Sequence, residues 1–229
     1  MKWRLLYYLT ELIFPRLCVI CGDKLIEQEQ WICLHCLHHV PRTNFHKDAM
    51  NPVAQLFYGR VRIEFATSFF FFSKGSKYQW LVHNLKYRGM KELGAEMGKH
   101  FAIDLMQSDD FCSVDLICPV PLHPSREKKR GYNQSWWIAS GMAAQMQKPV
   151  SVGNLVRVVA TETQTKKTRF ERWQNVEGIF ALNNPEDYCG KHILLVDDVV
   201  TTGSTIEACA QAILSKCDAR VSIATLAKA

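Results

Sequence analysis

The stretch Ile193-Leu194-Leu195-Val196-Asp197-Asp198-Val199-Val200-Thr201-Thr202-Gly203-Ser204-Thr205 decides how the rest of this 229-residue chain is read. A short apolar run reads as a buried strand that delivers two adjacent carboxylates to its carboxyl end. A loop of small hydroxyl residues follows and opens directly into a helix. In open α/β sheets, ligands sit outside the carboxyl ends of strands. A helix N-terminus offers unpaired N–H groups and partial positive charge to a phosphate. Thr201, Thr202, Ser204 and Thr205 add hydroxyl donors, and Gly203 lets the backbone approach an anion closely. Two carboxylates would repel a bare phosphate. They make sense if they accept hydrogen bonds from sugar hydroxyls or help to hold magnesium, so the expected ligand is a phosphorylated sugar. A Walker loop is excluded, because no Lys-Ser/Thr follows Gly203.

Outward from this stretch, strands alternate with helices. Strands are expected over 61–72, 114–120, 150–159, 192–196 and 220–227, from their β-branched, aromatic or continuous apolar runs. Helices are expected over 91–107, where Leu93, Met97, Phe101 and Leu105 recur every four residues, over 133–146 with Asn133 as N-cap, and over 206–216. This alternation predicts an α/β fold, a parallel sheet covered by helices on both faces. Leu5, Leu9, Leu12 and Ile13 share a helical face and read as a short amphipathic helix packed on the protein.

Four of nine cysteines fall within nineteen residues, as Cys18-Val19-Ile20-Cys21 and Cys33-Leu34-His35-Cys36. Two C-x2-C turns can close a tetrahedron around zinc. Disulfides need an oxidising compartment, and no export signal is visible; a redox motif leaves the doubling unexplained. Four thiolates leave zinc no open position, so the expected role is a structural staple. His35, His38 and His39 are alternative ligands. Cys112, Cys118, Cys189, Cys209 and Cys217 lack such spacing, and none reads as a nucleophile. The expected organisation is a zinc-ribbon segment at 1–45 and an α/β domain at 46–229.

The composition is that of a soluble globular protein, with 48% hydrophobic and 22% charged residues. No run approaches the roughly 18–20 apolar residues of a spanning helix, so the expectation is a cytoplasmic protein without stable membrane insertion. The formal charge is +6. Residues 126–130 and 166–172 each carry four cations and one carboxylate, which together account for that charge and leave the remainder formally neutral. Beside an anion site these clusters suit phosphate contact. They also suit a nucleic-acid backbone, with Tyr132, Trp136, Trp137, Phe170 or Trp173 as stacking partners.

The segment 193–205 resembles the diphosphate-sugar motif of type I phosphoribosyltransferases. Within that superfamily the chain is similar to the ComF family of competence proteins. That similarity also rests on the paired C-x2-C, Leu85-Lys86-Tyr87-Arg88-Gly89, Pro119-Val120-Pro121-Leu122-His123 and Arg130-Gly131-Tyr132-Asn133-Gln134. Gln164 with Arg169, Arg172, Asn175 and Phe180 completes the set. The resemblance implies a type I phosphoribosyltransferase-like fold and a site for phosphoribosyl pyrophosphate with Mg2+. It also implies a role in DNA uptake during natural transformation, with single-stranded DNA and other competence or recombination proteins as partners. On this pattern Asp197 and Asp198 bind the ribose hydroxyls, and Thr201, Thr202, Gly203, Ser204 and Thr205 hold the 5′-phosphate. Pro119, Val120, Pro121, Leu122 and His123 form the pyrophosphate loop, with Arg130 beside it. Residues 162–176, including Lys166, Lys167, Arg169 and Arg172, form a loop that closes over the diphosphate. Cys18, Cys21, Cys33 and Cys36 hold the zinc. Two functions stay open: a magnesium-dependent phosphoribosyltransferase with unknown acceptor, and a non-catalytic phosphoribosyl pyrophosphate sensor or single-stranded DNA-binding module. Neither the acceptor nor the oligomeric state is legible.

Overall fold

The computed structural model of the protein describes residues 14–158 and 179–229. The helix expected near Leu5–Ile13 and the cations Lys166, Lys167, Arg169 and Arg172 lie outside the described residues, as do Gln164, Phe170, Trp173 and Asn175. Leaving out single-turn segments such as Asp109–Cys112, the main elements in chain order are α1 (Leu34–His38), β1 (Ala66–Phe71), α2 (Gln79–Tyr87), α3 (Lys91–Leu105) and β2 (Leu116–Pro119). There follow α4 (Pro124–Arg130), α5 (Gln134–Met146), β3 (Leu155–Arg157), β4 (Phe180–Leu182), β5 (His192–Val200), α6 (Ser204–Leu214) and β6 (Arg220–Lys228).

Four strands form a parallel sheet in the order β1-β6-β5-β2, which places β5 between β6 and β2. Parallel strands need both faces covered, which is why β5 reads as a continuous apolar run up to Asp197. Side chains alternate across the sheet. Leu194 and Val196 join one core with Leu81 and Leu85 of α2, Phe101 of α3 and Ile138 of α5. Ile193 and Leu195 join the other with Ile206, Cys209 and Ile213 of α6 and with Phe57. The four-cysteine segment adds Cys18, Ile20, Leu25, Ile32 and Cys36 to the first core.

Helices α3 and α5 cross closely because glycine lies at the contact. A Cβ on Gly141 would stand 1.9 Å from the Ala95 carbonyl oxygen, and one on Gly98 would stand 2.2 Å from that of Ile138. Asn133 caps α5 as expected, its Oδ1 accepting the Ser135 N–H at 3.0 Å.

Several expected boundaries move. The strand expected over 61–72 begins only at Ala66, because the Val61 N–H is held by the Phe57 carbonyl in the preceding turn. The strand expected over 150–159 is confined to β3, which pairs antiparallel with β4 outside the main sheet. Val150 makes a single parallel bridge to Ile117, and Gly153, at φ +72°, turns the chain away. Strand β5 continues through both aspartates to Val200, and α6 starts at Ser204 rather than 206. The basic run 126–130 is itself helical, within α4, whose N-terminus is capped by His123.

Candidate phosphate-sugar site

Asp197 and Asp198 sit three and two residues before Val200, the last residue of β5, with their carboxylates held differently. The Ser135 hydroxyl, from the first turn of α5, donates to Asp197 Oδ1 at 2.8 Å, and the Asp198 N–H donates to the same oxygen at 2.8 Å. Burial, together with the adjacent Asp198 charge, pushes Asp197 up to about 7 against those two donors. Asp198 is instead paired with Lys86 of α2, the ammonium lying 3.1 Å from Oδ1. Two adjacent carboxylates therefore have separate environments, one sharing neutral donors and one holding a cation.

Beyond Val200, the loop 201–205 wraps a cavity of about 70 Å3 that Asp197 also lines. A cavity of this size is roomy enough to admit a small polar ligand. Thr201, Thr202, Ser204 and Thr205 are exposed, and Gly203 is buried at φ +77° as the residue before α6. A Cβ at Gly203 would meet the Phe57 ring at 2.9 Å, so both the conformation and the close approach require glycine. Arg60 braces the loop from outside. One of its nitrogens donates to the Thr202 carbonyl at 2.9 Å and to the Leu56 carbonyl at 2.8 Å, and another pairs with Glu207 in α6.

The second loop, 119–123, leaves β2 beside β5, with Pro119 in register with Val196. The Val120 N–H donates to the Val196 carbonyl at 2.9 Å, and Asn133 Nδ2 donates to the Val120 carbonyl at 2.9 Å. Pro121, Leu122 and His123 are half-buried; the His123 Nδ1 accepts the Ser125 N–H and so caps α4. Arg130 donates to Gln134 Oε1 at 2.8 Å and lies over the Tyr87 ring. A separate cavity of about 610 Å3 runs between this loop and β3, lined by Pro121, Tyr132, Trp136 and Trp137 among others. Both tryptophans are half-buried, with ring centroids 5.0 Å apart.

The sequence-selected residues Asp197 and 201–205 thus share one cavity, and 119–123 lies against the neighbouring strand. Lys166, Lys167, Arg169 and Arg172 lie outside the described residues. Sequence reasoning gave no role to Ser135, Lys86, Arg60 and Phe57. Lys86 lies inside the quoted motif 85–89 and Ser135 directly follows the motif 130–134, but Arg60 and Phe57 carry no local signal. Of the remaining cysteines, Cys118 and Cys209 are buried, and burial pushes Cys118 up to about 12 and Cys209 well above its usual range.

At the other end of the chain, the sulfurs of Cys18, Cys21, Cys33 and Cys36 all lie within 4.8 Å of one another. Cys21 and Cys33 Sγ are 3.7 Å apart. Zinc–sulfur bonds of about 2.3 Å at tetrahedral angles give an edge of about 3.8 Å. The Cys33 N–H points at Cys18 Sγ and the Cys36 N–H at Cys33 Sγ, both at 3.4 Å. The cluster is compatible with a structural metal.

A parallel sheet with flanking helices, and a strand that runs through paired aspartates into a glycine-bearing loop, define a type I phosphoribosyltransferase-like fold. Residues 133–229 match the phosphoribosyl transferase domain family. The DNA utilization protein YhgH of Salmonella typhi is 33% identical over 146 residues, 62% of this chain and 63% of that protein. The competence protein ComFC of Bacillus subtilis (strain 168) is 35% identical over 101 residues, 44% of this chain and 39% of that one. The chain thus matches under two thirds of the length of these curated relatives. Among solved structures, the allosteric regulatory enzyme of purine biosynthesis superposes with a TM-score of 0.43 at 19% identity, covering 58% of this chain and 25% of that one. Together with the domain match, these relatives make the chain similar to the ComF family of competence proteins.

Proposed function

We propose that the chain binds phosphoribosyl pyrophosphate with Mg2+ at the junction of β5, α6 and the 119–123 loop, as a phosphoribosyltransferase-like protein serving DNA use or uptake. The observation that carries this reading is the shared cavity of Asp197 and the loop 201–205 at the N-terminus of α6. The 5′-phosphate would take the loop N–H groups and hydroxyls, and the ribose hydroxyls would donate to the two aspartates. Magnesium suits a carboxylate–diphosphate pair; Asp197 or Asp198 would help to hold it, and it would supply positive charge to neutralise the leaving diphosphate. Asp198 now has the Lys86 ammonium as its counter-charge, so the site already tolerates a cation beside that carboxylate. Gln134 Nε2, buried and without a hydrogen-bond partner among the described residues, is a spare donor next to Ser135.

If the protein turns over, an acceptor nucleophile bonds to the anomeric carbon as its bond to pyrophosphate breaks, and charge builds on the leaving oxygens. N–H groups and cations placed at those oxygens then stabilise the transition state more than the ground state. Arg130 and the cations Lys166, Lys167, Arg169 and Arg172 are proposed for that task. Residues 46–229 would form this domain, with 1–45 a segment stapled by Zn2+ on Cys18, Cys21, Cys33 and Cys36. The DNA role is supported by the likeness to a DNA utilization protein and a competence protein. Among the described residues no helix is long and apolar enough to cross a membrane.

Pyrophosphate release from phosphoribosyl pyrophosphate and Mg2+, measured across a panel of bases and oligonucleotides, tests the catalytic form. Release that disappears in Asp197→Asn/Asp198→Asn supports it. Binding without release from any acceptor favours the sensing form.

A further inference from the structure

The outer side of α2 carries a row of rings that the phosphate-sugar site does not use. Trp80, His83 and Tyr87 recur at intervals of three and four residues, so they share one helix face. The ring centroids of Trp80 and His83 are 5.2 Å apart, and those of His83 and Tyr87 are 5.1 Å apart. A guanidinium sits at each end, Arg88 at 5.6 Å from the Trp80 centroid and Arg130 at 5.7 Å from that of Tyr87. All three rings are exposed, Tyr87 to 70%. The opposite side of α2 is spent in the core through Leu81, Val82 and Leu85, so core packing does not explain the row.

The charge around the row has one sign. Residues 74–91 contain Lys74, Lys77, Lys86, Arg88 and Lys91 and no carboxylate. Lys86 is committed to Asp198; Lys74, Lys77, Arg88 and Lys91 are exposed. A lone exposed aromatic is ordinary. Three in contact, flanked by stacked guanidiniums within a purely cationic stretch, fit a partner with both flat apolar faces and repeated negative charge. A single-stranded nucleic acid has both, because unpaired bases present their faces and phosphates recur along the strand. A duplex offers only its phosphates, with its base faces already stacked. Seven residues of helix rise about 10 Å, room for two or three nucleotides.

We infer that the outer face of α2, from Trp80 to Tyr87 with Arg88 and Arg130, is a binding surface for single-stranded nucleic acid. The surface leads toward the phosphate loops, since Arg130 joins Tyr87 to Gln134 at the start of α5. It does not depend on the phosphate-sugar reading.

Anisotropy of labelled dT20, rU20 and a 20-base-pair duplex, titrated with the full chain, tests the inference. The variants are Trp80→Ala, Tyr87→Ala, their double, and Arg88→Gln, with Lys216→Ala, exposed after α6, as comparator. The expected result is salt-dependent binding of a single strand in preference to duplex. Each ring loss weakens it about fivefold or more, and Arg88→Gln lowers the salt slope by about 0.7. Lys216→Ala leaves binding unchanged. The dT and rU arms decide which backbone is favoured, and either preference supports the surface. Unchanged affinity in the double variant and in Arg88→Gln overturns the inference, as does the absence of binding by wild type. Loss of binding to 7:3 phosphatidylcholine–phosphatidylglycerol vesicles, with oligonucleotide affinity intact, would assign the row to a membrane surface and overturn it as well. Thermal melting of each variant separates misfolding from loss of contact, and the exposed Arg88→Gln keeps the test open if the ring variants unfold. If phosphoribosyl pyrophosphate fails to bind while oligonucleotide affinity follows the row, only the pocket reading falls.

Discussion

The Lys86 ammonium lies 3.1 Å from the Asp198 carboxylate, joining the inner edge of α2 to the end of β5. Both side chains are mostly shielded, at 21% and 13% exposure. Breaking one partner of such a pair leaves an uncompensated charge in a poorly solvated place. Lys86→Met is expected to lower the free energy of unfolding by about 1–3 kcal/mol. Combined with Asp198→Asn it should recover part of that loss, so urea unfolding of the four-member cycle measures the coupling.

Asp197 gives stability a dependence on pH. Its folded pKa, pushed up to about 7 by burial and by Asp198, exceeds the ordinary carboxylate value near 3.9 in an unfolded chain. The folded state therefore binds the extra proton between those values. The contribution is full below about pH 4 and is lost as pH rises to about 7, with no further change above. Asp197→Asn should flatten that slope and leave the protein about 1–4 kcal/mol more stable than wild type at pH 8. Melting curves across pH 4 to 8 check the sign; an unchanged slope in the variant would show that Asp197 does not titrate in this range.

Gly203 is constrained twice, by its φ of +77° and by the Phe57 ring. Gly203→Ala is expected to cost about 1–3 kcal/mol in stability. It should also weaken phosphate binding at 201–205, because the loop N–H groups would be re-aimed. Phe57→Leu in the same chain would relieve the contact but not the backbone strain, so rescue should be partial in thermal melts.

Metal analysis of the purified chain should find one zinc. Its removal by a chelator should lower the melting temperature, because Cys18, Ile20 and Cys36 share a core with α2 and α3. Cys21→Ser should reproduce the effect, whereas Cys209→Ala should leave the zinc content unchanged.

The sequence made the strand–acid–loop–helix run legible because every part of it is local. Apolar continuity marks β5, and Gly203 with its hydroxyl neighbours marks the turn into α6. The cysteine cluster was legible for the same reason, through its spacing. Ser135 and Lys86 were not, since their partners Asp197 and Asp198 are brought to them only by tertiary packing, Ser135 from 62 residues away. Arg60 reaches its Thr202 contact across 142 residues and has no local signature. Charge counting found 126–130 and 166–172 but averaged away the cations of 74–91, because acids elsewhere cancel them in the remainder. The boundary at Ala66 was missed because Val61 belongs to a turn despite its β-forming neighbours.

The central claim is that the junction of β5 and α6 holds a phosphorylated ribose. Calorimetric titration of wild-type protein with phosphoribosyl pyrophosphate, with and without Mg2+, tests it most directly when repeated on Asp197→Asn/Asp198→Asn. The account predicts saturable, magnesium-dependent binding at one site per chain, weakened at least tenfold in the double variant. No binding by wild type, or equal affinity in the variant, would contradict it.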